Sequence, residues 1–191
     1  KCSVVYNPFN PNFKFHENVR CNKKLKILQI GGGKNKNIEK LLEAVIGLDV
    51  SLILVRPKND KLARILCEND IAFEWHSGIS EVAMIELYKK CDIVYFASTY
   101  EGFGLPIIEA QTIGRPVITS NRCSMPEVMG GSPFIVNPLK TEEIRRAILE
   151  LRDSTVYKKE VLRGLENVRR FEPLSIANQY THIYKSFIIT N

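Results

Sequence analysis

Two glutamates, eight positions apart, bracket a glycine-rich turn in the stretch Glu101-Gly102-Phe103-Gly104-Leu105-Pro106-Ile107-Ile108-Glu109. Gly102 and Gly104 let the backbone approach a ligand closely, and Pro106 suits the first turn of a helix. The N–H groups near Leu105, Ile107 and Ile108 would then stand free at the positive end of the helix dipole. That is an anion site, suited to a diphosphate. Glu109 lies one turn into the helix, and helical side chains lean toward the N-terminus. Its carboxylate can therefore reach a group bound at that end, where it would accept hydrogen bonds from sugar hydroxyls. Glu101 offers a second carboxylate from the other side of the turn. A short helix behind a glycine turn, with no ligand at all, would use the same residue types.

A second glycine run, Gly31-Gly32-Gly33, leads into Lys34 and Lys36. The dinucleotide fingerprint needs a third glycine where Lys36 stands, so no nicotinamide cofactor is expected, and the P-loop pattern is absent. His16, His76 and His182 show no ligand spacing. The five cysteines (Cys2, Cys21, Cys67, Cys91, Cys123) form no C-x-x-C and no zinc pattern, so no metal site is expected. They read as small buried hydrophobes of a reducing compartment, which points to the cytoplasm.

The elements that must position these residues follow from hydrophobic pattern and breakers. Apolar runs at Leu25–Ile30, Val50–Val55, Ala72–Trp75, Ile93–Ala97, Pro116–Ser120 and Pro133–Val136 predict six strands. The Ile93–Ala97 run is continuous rather than alternating, which means that both faces of that strand are covered. Helices are predicted between them: Asn37–Ile46 stopped by Gly47, Asp60–Glu68, and one capped by Ser80 with Val82, Ile85 and Tyr88 on one face. The motif helix should run from Pro106 to Thr112, with Gly114 past its end. Thr141 should cap a helix to Leu151, followed by a basic helix at Val156–Arg170 and a last amphipathic one at Leu174–Ile188. Lys1–Lys24, rich in Asn and Pro, reads as a strand end and an extended linker. Strands separated by helices make βαβ units. The predicted fold is α/β, a Rossmann-like doubly wound parallel sheet of about six strands with helices on both faces.

Composition is compatible with one such domain. The 191 residues are 45% apolar and 25% charged, which excludes a disordered or disulfide-framework chain. No run approaches about 18 apolar residues, so no membrane span is predicted, and the first residues show no signal-peptide core. Net charge is +6, with seven basic residues (Arg20, Lys23, Lys24, Lys26, Lys34, Lys36, Lys40) against Glu39 alone between positions 20 and 40. Without interleaved aromatics or an RNA-binding signature, that stripe does not point to nucleic acid.

The motif as a whole resembles the sugar-nucleotide-binding segment of family 4 retaining glycosyltransferases. The family's E-x7-E stands here as Glu101 to Glu109. Its usual sequel stands as Gly114-Arg115-Pro116-Val117-Ile118-Thr119-Ser120 and Pro126-Glu127-Val128. Val5-Tyr6-Asn7-Pro8-Phe9-Asn10 and Leu87-Tyr88-Lys89-Lys90-Cys91-Asp92 are similar to flanking family segments, so nearly the whole chain is covered.

The resemblance implies one half of a two-domain GT-B enzyme. Residues 1–24 would link from an N-terminal acceptor domain, 25–172 would bind the nucleotide sugar, and 173–191 would cross back as a helix. The activity implied is transfer of a hexosyl unit, with retention, from a UDP- or GDP-linked sugar to a glycan or lipid-linked acceptor. No cofactor is implied, and peripheral contact with the cytoplasmic membrane face would suit such acceptors. By family role, Glu109 would hold the ribose, Glu101 would contact the donor sugar as the catalytic glutamate, and Gly102, Phe103, Gly104 and Leu105 would meet sugar and diphosphate. Lys36 would bind the diphosphate, and Gly78 and Ile79 would flank the base. The arginine that often follows the first strand is Gly32 here, and Lys34 is expected in its place. A sugar-nucleotide epimerase and a non-catalytic nucleotide-sugar-binding module are alternatives that the fold would also serve.

Overall fold

The computed structural model describes residues 2–18 and 24–188. Arg20 and Lys23 of the basic stripe, and Cys21, lie outside the described residues. Six strands, β1 (Leu25–Ile30), β2 (Val50–Val55), β3 (Ala72–His76), β4 (Ile93–Phe96), β5 (Val117–Ser120) and β6 (Ile135–Val136), form one sheet in the order β3-β2-β1-β4-β5-β6. Every pairing is parallel, with Ile27 opposite Leu52 on one side and Ile93 on the other. The chain starts in the middle and winds out first to one edge, then to the other. This is the doubly wound arrangement, whose switch point lies between β1 and β4.

The described residues form eight α-helices: α1 (Ile38–Val45), α2 (Asp60–Glu68), α3 (Glu81–Lys90), α4 (Leu105–Ile113), α5 (Met125–Met129), α6 (Thr141–Glu150), α7 (Ser154–Val168) and α8 (Pro173–Ile188). Successive strand residues point to opposite faces, which splits the core into two layers. Ile27, Leu52, Leu54 and Tyr95 pack with α1, α2 and α6. Leu28, Ile53, Val94 and Phe96 pack with α3, α4 and α5. No helix among the described residues is long and apolar enough to cross a membrane.

Several local expectations need correction. α4 begins at Leu105, with Gly104 as its cap at φ 111°, so Pro106 takes the second position. Val82 faces solvent at 70% exposure, while Leu87 and Tyr88 carry the buried face of α3. Thr141 is the first helical residue of α6 rather than its cap, and its hydroxyl donates to Glu43 instead. Five residues of α5 form a helix too short for periodicity to reveal. Of the described cysteines only Cys91 is buried, since Cys2, Cys67 and Cys123 lie in exposed segments or on an outer helix face. Residues 2–18 contain no strand, because Pro8 and Pro11 lack the N–H a ladder needs. The segment is held instead by Phe9 N donating to Phe171 O, His16 N donating to Ile113 O, and the buried ring of Phe13 against Tyr88.

Candidate functional site

The carboxyl ends of β1 and β4 diverge at the switch point, and two turns rise side by side there. After β1, Gly31 takes φ +97°, and a Cβ at that position would stand 2.7 Å from Lys36 Cε. The glycine is thus what lets the Lys36 stem fold back over the turn. A 3-10 turn, Lys34–Lys36, follows, and Asn37 then adopts the left-handed conformation at φ 53°. The Asn37 side-chain amide donates to Pro138 O at 2.6 Å and Ala97 O at 3.2 Å, so it fastens the β1, β4 and β6 turns together.

The motif turn after β4 is locked to this first turn. Lys36 Nζ lies 2.6 Å from Glu101 Oε1, and both side chains are largely shielded, at 21% and 15% exposure. The ammonium also sits 4.6 Å from the centre of the Phe96 ring. Asn35 Nδ2 donates to Tyr100 O at 3.0 Å and to Glu101 Oε1 at 3.3 Å, while Thr99 N donates to Asn35 O at 2.8 Å. Lysine and glutamate, 65 residues apart, therefore occupy one spot. Reduced solvent strengthens such a pair relative to a surface one, and any anion entering must compete with Glu101 for the lysine.

The start of α4 is more constrained than the glycine pattern suggests. Ile107 N–H, expected to be free, donates to Gly104 O at 2.9 Å, because the left-handed Gly104 curls its carbonyl under the first turn. Phe103 O accepts from Ser124 Oγ at 2.7 Å, and the Phe103 ring packs against Tyr6 and Phe171. Phe103 thus anchors the loop, while Gly102 and Leu105 stay exposed on its outer side.

Glu109 sits apart from the Lys36–Glu101 pair, with no hydrogen bond or ion pair joining them. Tyr88 Oη donates to its Oε2 at 2.7 Å. Burial pushes the Glu109 carboxyl above its ordinary value of 4.5, the Tyr88 bond opposes that, and the charge of Glu81 adds to it. Gly78, at φ +62°, and Ile79 form the β3–α3 turn. Gly78 is exposed, and Ile79 leans on the core layer beneath α3 and α4. Lys34 is exposed and makes no ion pair with a described residue.

Sequence reasoning missed Arg56. It follows β2 directly, is only 8% exposed, and extends Nη2 to Gly32 O at 3.3 Å. Burial lowers its pKa, with the charge of Glu39 acting the other way. Its place one residue past an apolar strand, beside the glycine run, is the signal that could have found it.

Residues 12–161 match the family model described as "Glycosyl transferases group 1". An O-antigen chain mannosyltransferase B of Escherichia coli is 36% identical over 100 residues, covering 52% of this chain and 26% of that protein. An MMP alpha-(1->4)-mannosyltransferase of Mycolicibacterium hassiacum is 31% identical over 169 residues, covering 80% of this chain and 40% of that one. The chain thus spans less than half the length of either curated relative. Among solved structures, Anabaena HepE in complex with UDP and glucose superposes with a TM-score of 0.81 at 20% identity. That match covers 96% of this chain and 57% of the other, and it is a likeness of fold.

Proposed function

The chain belongs to the glycosyl transferases group 1 family, and from that premise we propose that it holds a nucleoside-diphosphate sugar along the carboxyl edge of its sheet, as the donor side of a hexosyl transfer. The observation that carries this reading is the shielded Lys36–Glu101 pair beside the start of α4. A diphosphate oxygen is the natural competitor for the lysine, and sugar hydroxyls are natural donors to the glutamate it releases. Glu109 would accept from the ribose, Gly102 and Leu105 would face sugar and diphosphate, and Gly78 with Ile79 would flank the base.

The chemistry asked of these groups is electrostatic. The anomeric C–O bond breaks heterolytically, the nucleoside diphosphate leaves with the bonding pair, and the acceptor hydroxyl oxygen forms the new bond while its proton passes to the departing phosphate oxygen. Lys36 and the α4 N-terminus stabilise the departing charge, and Glu101 orients the oxocarbenium-like sugar. No side chain of this edge serves as a nucleophile in this scheme, and the acceptor attacks on the face the diphosphate leaves, with retention. Two relatives are named mannosyltransferases, so a mannosyl donor is the first to test.

The donor side needs an acceptor side. Helix α8, whose Leu174, Tyr180 and Tyr184 are exposed, is the element proposed to meet an acceptor-binding domain, with a glycan or lipid-linked acceptor at the cytoplasmic membrane face. Calorimetric titration of the chain with UDP, GDP and ADP tests the reading and identifies the base. Affinity for none of them, where one is expected, would overturn it.

A further inference from the structure

Buried polar atoms without a partner are rare in folded proteins, and each calls for a cause. Among the described residues, five of the six such side-chain atoms lie within two residues of the carboxyl ends of β1 to β4. They are Gln29 Oε1, Arg56 Nε, Arg56 Nη1, His76 Nε2 and Ser98 Oγ, the histidine nitrogen being 3.5 Å from Glu74 Oε2. The unmet hydrogen-bonding capacity of the domain is thus gathered on the edge proposed to hold the nucleotide.

Arg56 is the extreme case. It is more than nine-tenths buried, forms no ion pair with any described residue, and uses one of its three guanidinium nitrogens, for the Gly32 carbonyl. A buried cation without an ion-pair partner is costly, and a guanidinium is always charged. Its position relative to Lys36 is informative. The Lys36 stem lies on Gly31 and Arg56 Nη2 reaches Gly32, so the two cations flank one glycine pair. A Cβ on Gly32 would stand 2.6 Å from Pro57 Cδ, so this turn is bare of side chains where the two meet. Lys36 is already paired with Glu101, whereas Arg56 makes no ion pair with a described residue and feels the charge of Glu39 only without contact.

We propose that Arg56 is the second cation of the diphosphate site, exchanging its bond to the Gly32 carbonyl for phosphate oxygens when the nucleotide seats on the glycine turn. The planar fork matches two phosphate oxygens at once, which a lysine cannot do. Arg56 thereby takes the place that the family resemblance left to Lys34. The proposal rests on the reading of this edge as a nucleoside-diphosphate site.

The test is calorimetry and thermal melting on the 191-residue chain, with inorganic pyrophosphate, UDP and uridine as probes. Arg56→Met is expected to weaken UDP and pyrophosphate by about tenfold or more, as for lost hydrogen bonds between charged groups. Uridine binding should not change, and the melting temperature of the free protein should hold or rise, because an unpaired buried charge has gone. Arg56→Lys, which keeps charge and stem, should fall between the two for UDP. Wild-type UDP affinity in either variant, or an equal loss for uridine, would overturn the proposal. Arg56-dependent pyrophosphate binding with no gain from the nucleoside would uphold Arg56 and sink the nucleotide reading. Binding of UDP that ignores Arg56 would do the reverse, and binding of neither probe by the wild type would remove both.

Discussion

Glu109 is held in a conflict that its proposed role explains. A carboxylate meant for ribose hydroxyls must be shielded to bind them well, and shielding penalises its charge. The folded-state pKa is raised above 4.5, so the folded protein binds the proton more tightly than the unfolded chain does. Stability contributed at this position therefore falls as pH rises through the window above 4.5. Glu109→Gln should melt no lower than wild type at pH 7, and higher if the penalty dominates, with the difference vanishing below pH 4.5. The same variant should bind the nucleoside diphosphate about 1.5–3 kcal/mol more weakly. A melting profile against pH paired with titration calorimetry checks both, and an unweakened variant would remove Glu109 from the site. For Lys36→Ala, UDP should lose on the order of tenfold in affinity and UMP clearly less, since the lysine is proposed to meet the distal phosphate. Equal losses would contradict that contact.

At the scale of elements, the carboxyl edge and the opposite edge are built by different means. The carboxyl edge relies on side chains that bridge turns, as Asn37 and Asn35 do. The amino edge relies on Arg115, which is 1% exposed and donates to Tyr88 O at 3.0 Å, Lys89 O at 2.8 Å and His16 O at 2.8 Å. It fixes the C-terminus of α3, the approach to β5 and the extended segment around His16 in one contact set, with carbonyls in place of carboxylates. Arg115→Ala would leave those carbonyls buried and unpaired, at a cost of about 3 kcal/mol. For a domain of this size that lowers the melting temperature by on the order of 10 °C. UDP affinity measured well below the transition should fall less than for Glu109→Gln, since Arg115 reaches the proposed donor site only through Tyr88, whose hydroxyl meets Glu109. A variant that melts normally would show that the network is dispensable.

At the scale of the molecule, the carboxyl edge is proposed to bind a donor whose acceptor is held by another domain. On that proposal the 191 residues by themselves are expected to bind a nucleotide sugar and to give no glycosyl product when glycan or lipid-linked acceptors are supplied. Product detected by mass spectrometry would overturn that expectation. In an active full-length protein carrying this sequence, Glu101→Ala should lower turnover more than nucleotide affinity, because Glu101 is proposed to act on the sugar. The net charge of +6 adds a diffuse attraction for an anionic ligand, so affinity should decline with added salt.

Much of this was legible along the chain. Short apolar stretches separated by helical ones determined the parallel sheet, and the continuous run Ile93–Ala97 marked a strand buried on both faces, as β4 is, whereas the edge strand β3 stays partly exposed. Gly114, Ser80 and Gly47 marked helix ends because their conformational or capping chemistry is local. The spacing of Glu101 and Glu109 stood in the sequence, and the family resemblance supplied the role proposed for each. What spacing could not carry was anything made between distant segments. The contact of Lys36 with Glu101 and the seat of Glu109 on Tyr88 depend on which strand lies beside which. Val82 looked buried by periodicity, but only packing against α4 and the sheet decides which face of α3 turns inward. Ile107 N–H looked free until the left-handed turn at Gly104 gave it an acceptor. Arg56 carried no motif at all. It became a candidate only when the sheet order placed β2 beside β1, because a buried charge is defined by its neighbours and those are set in three dimensions.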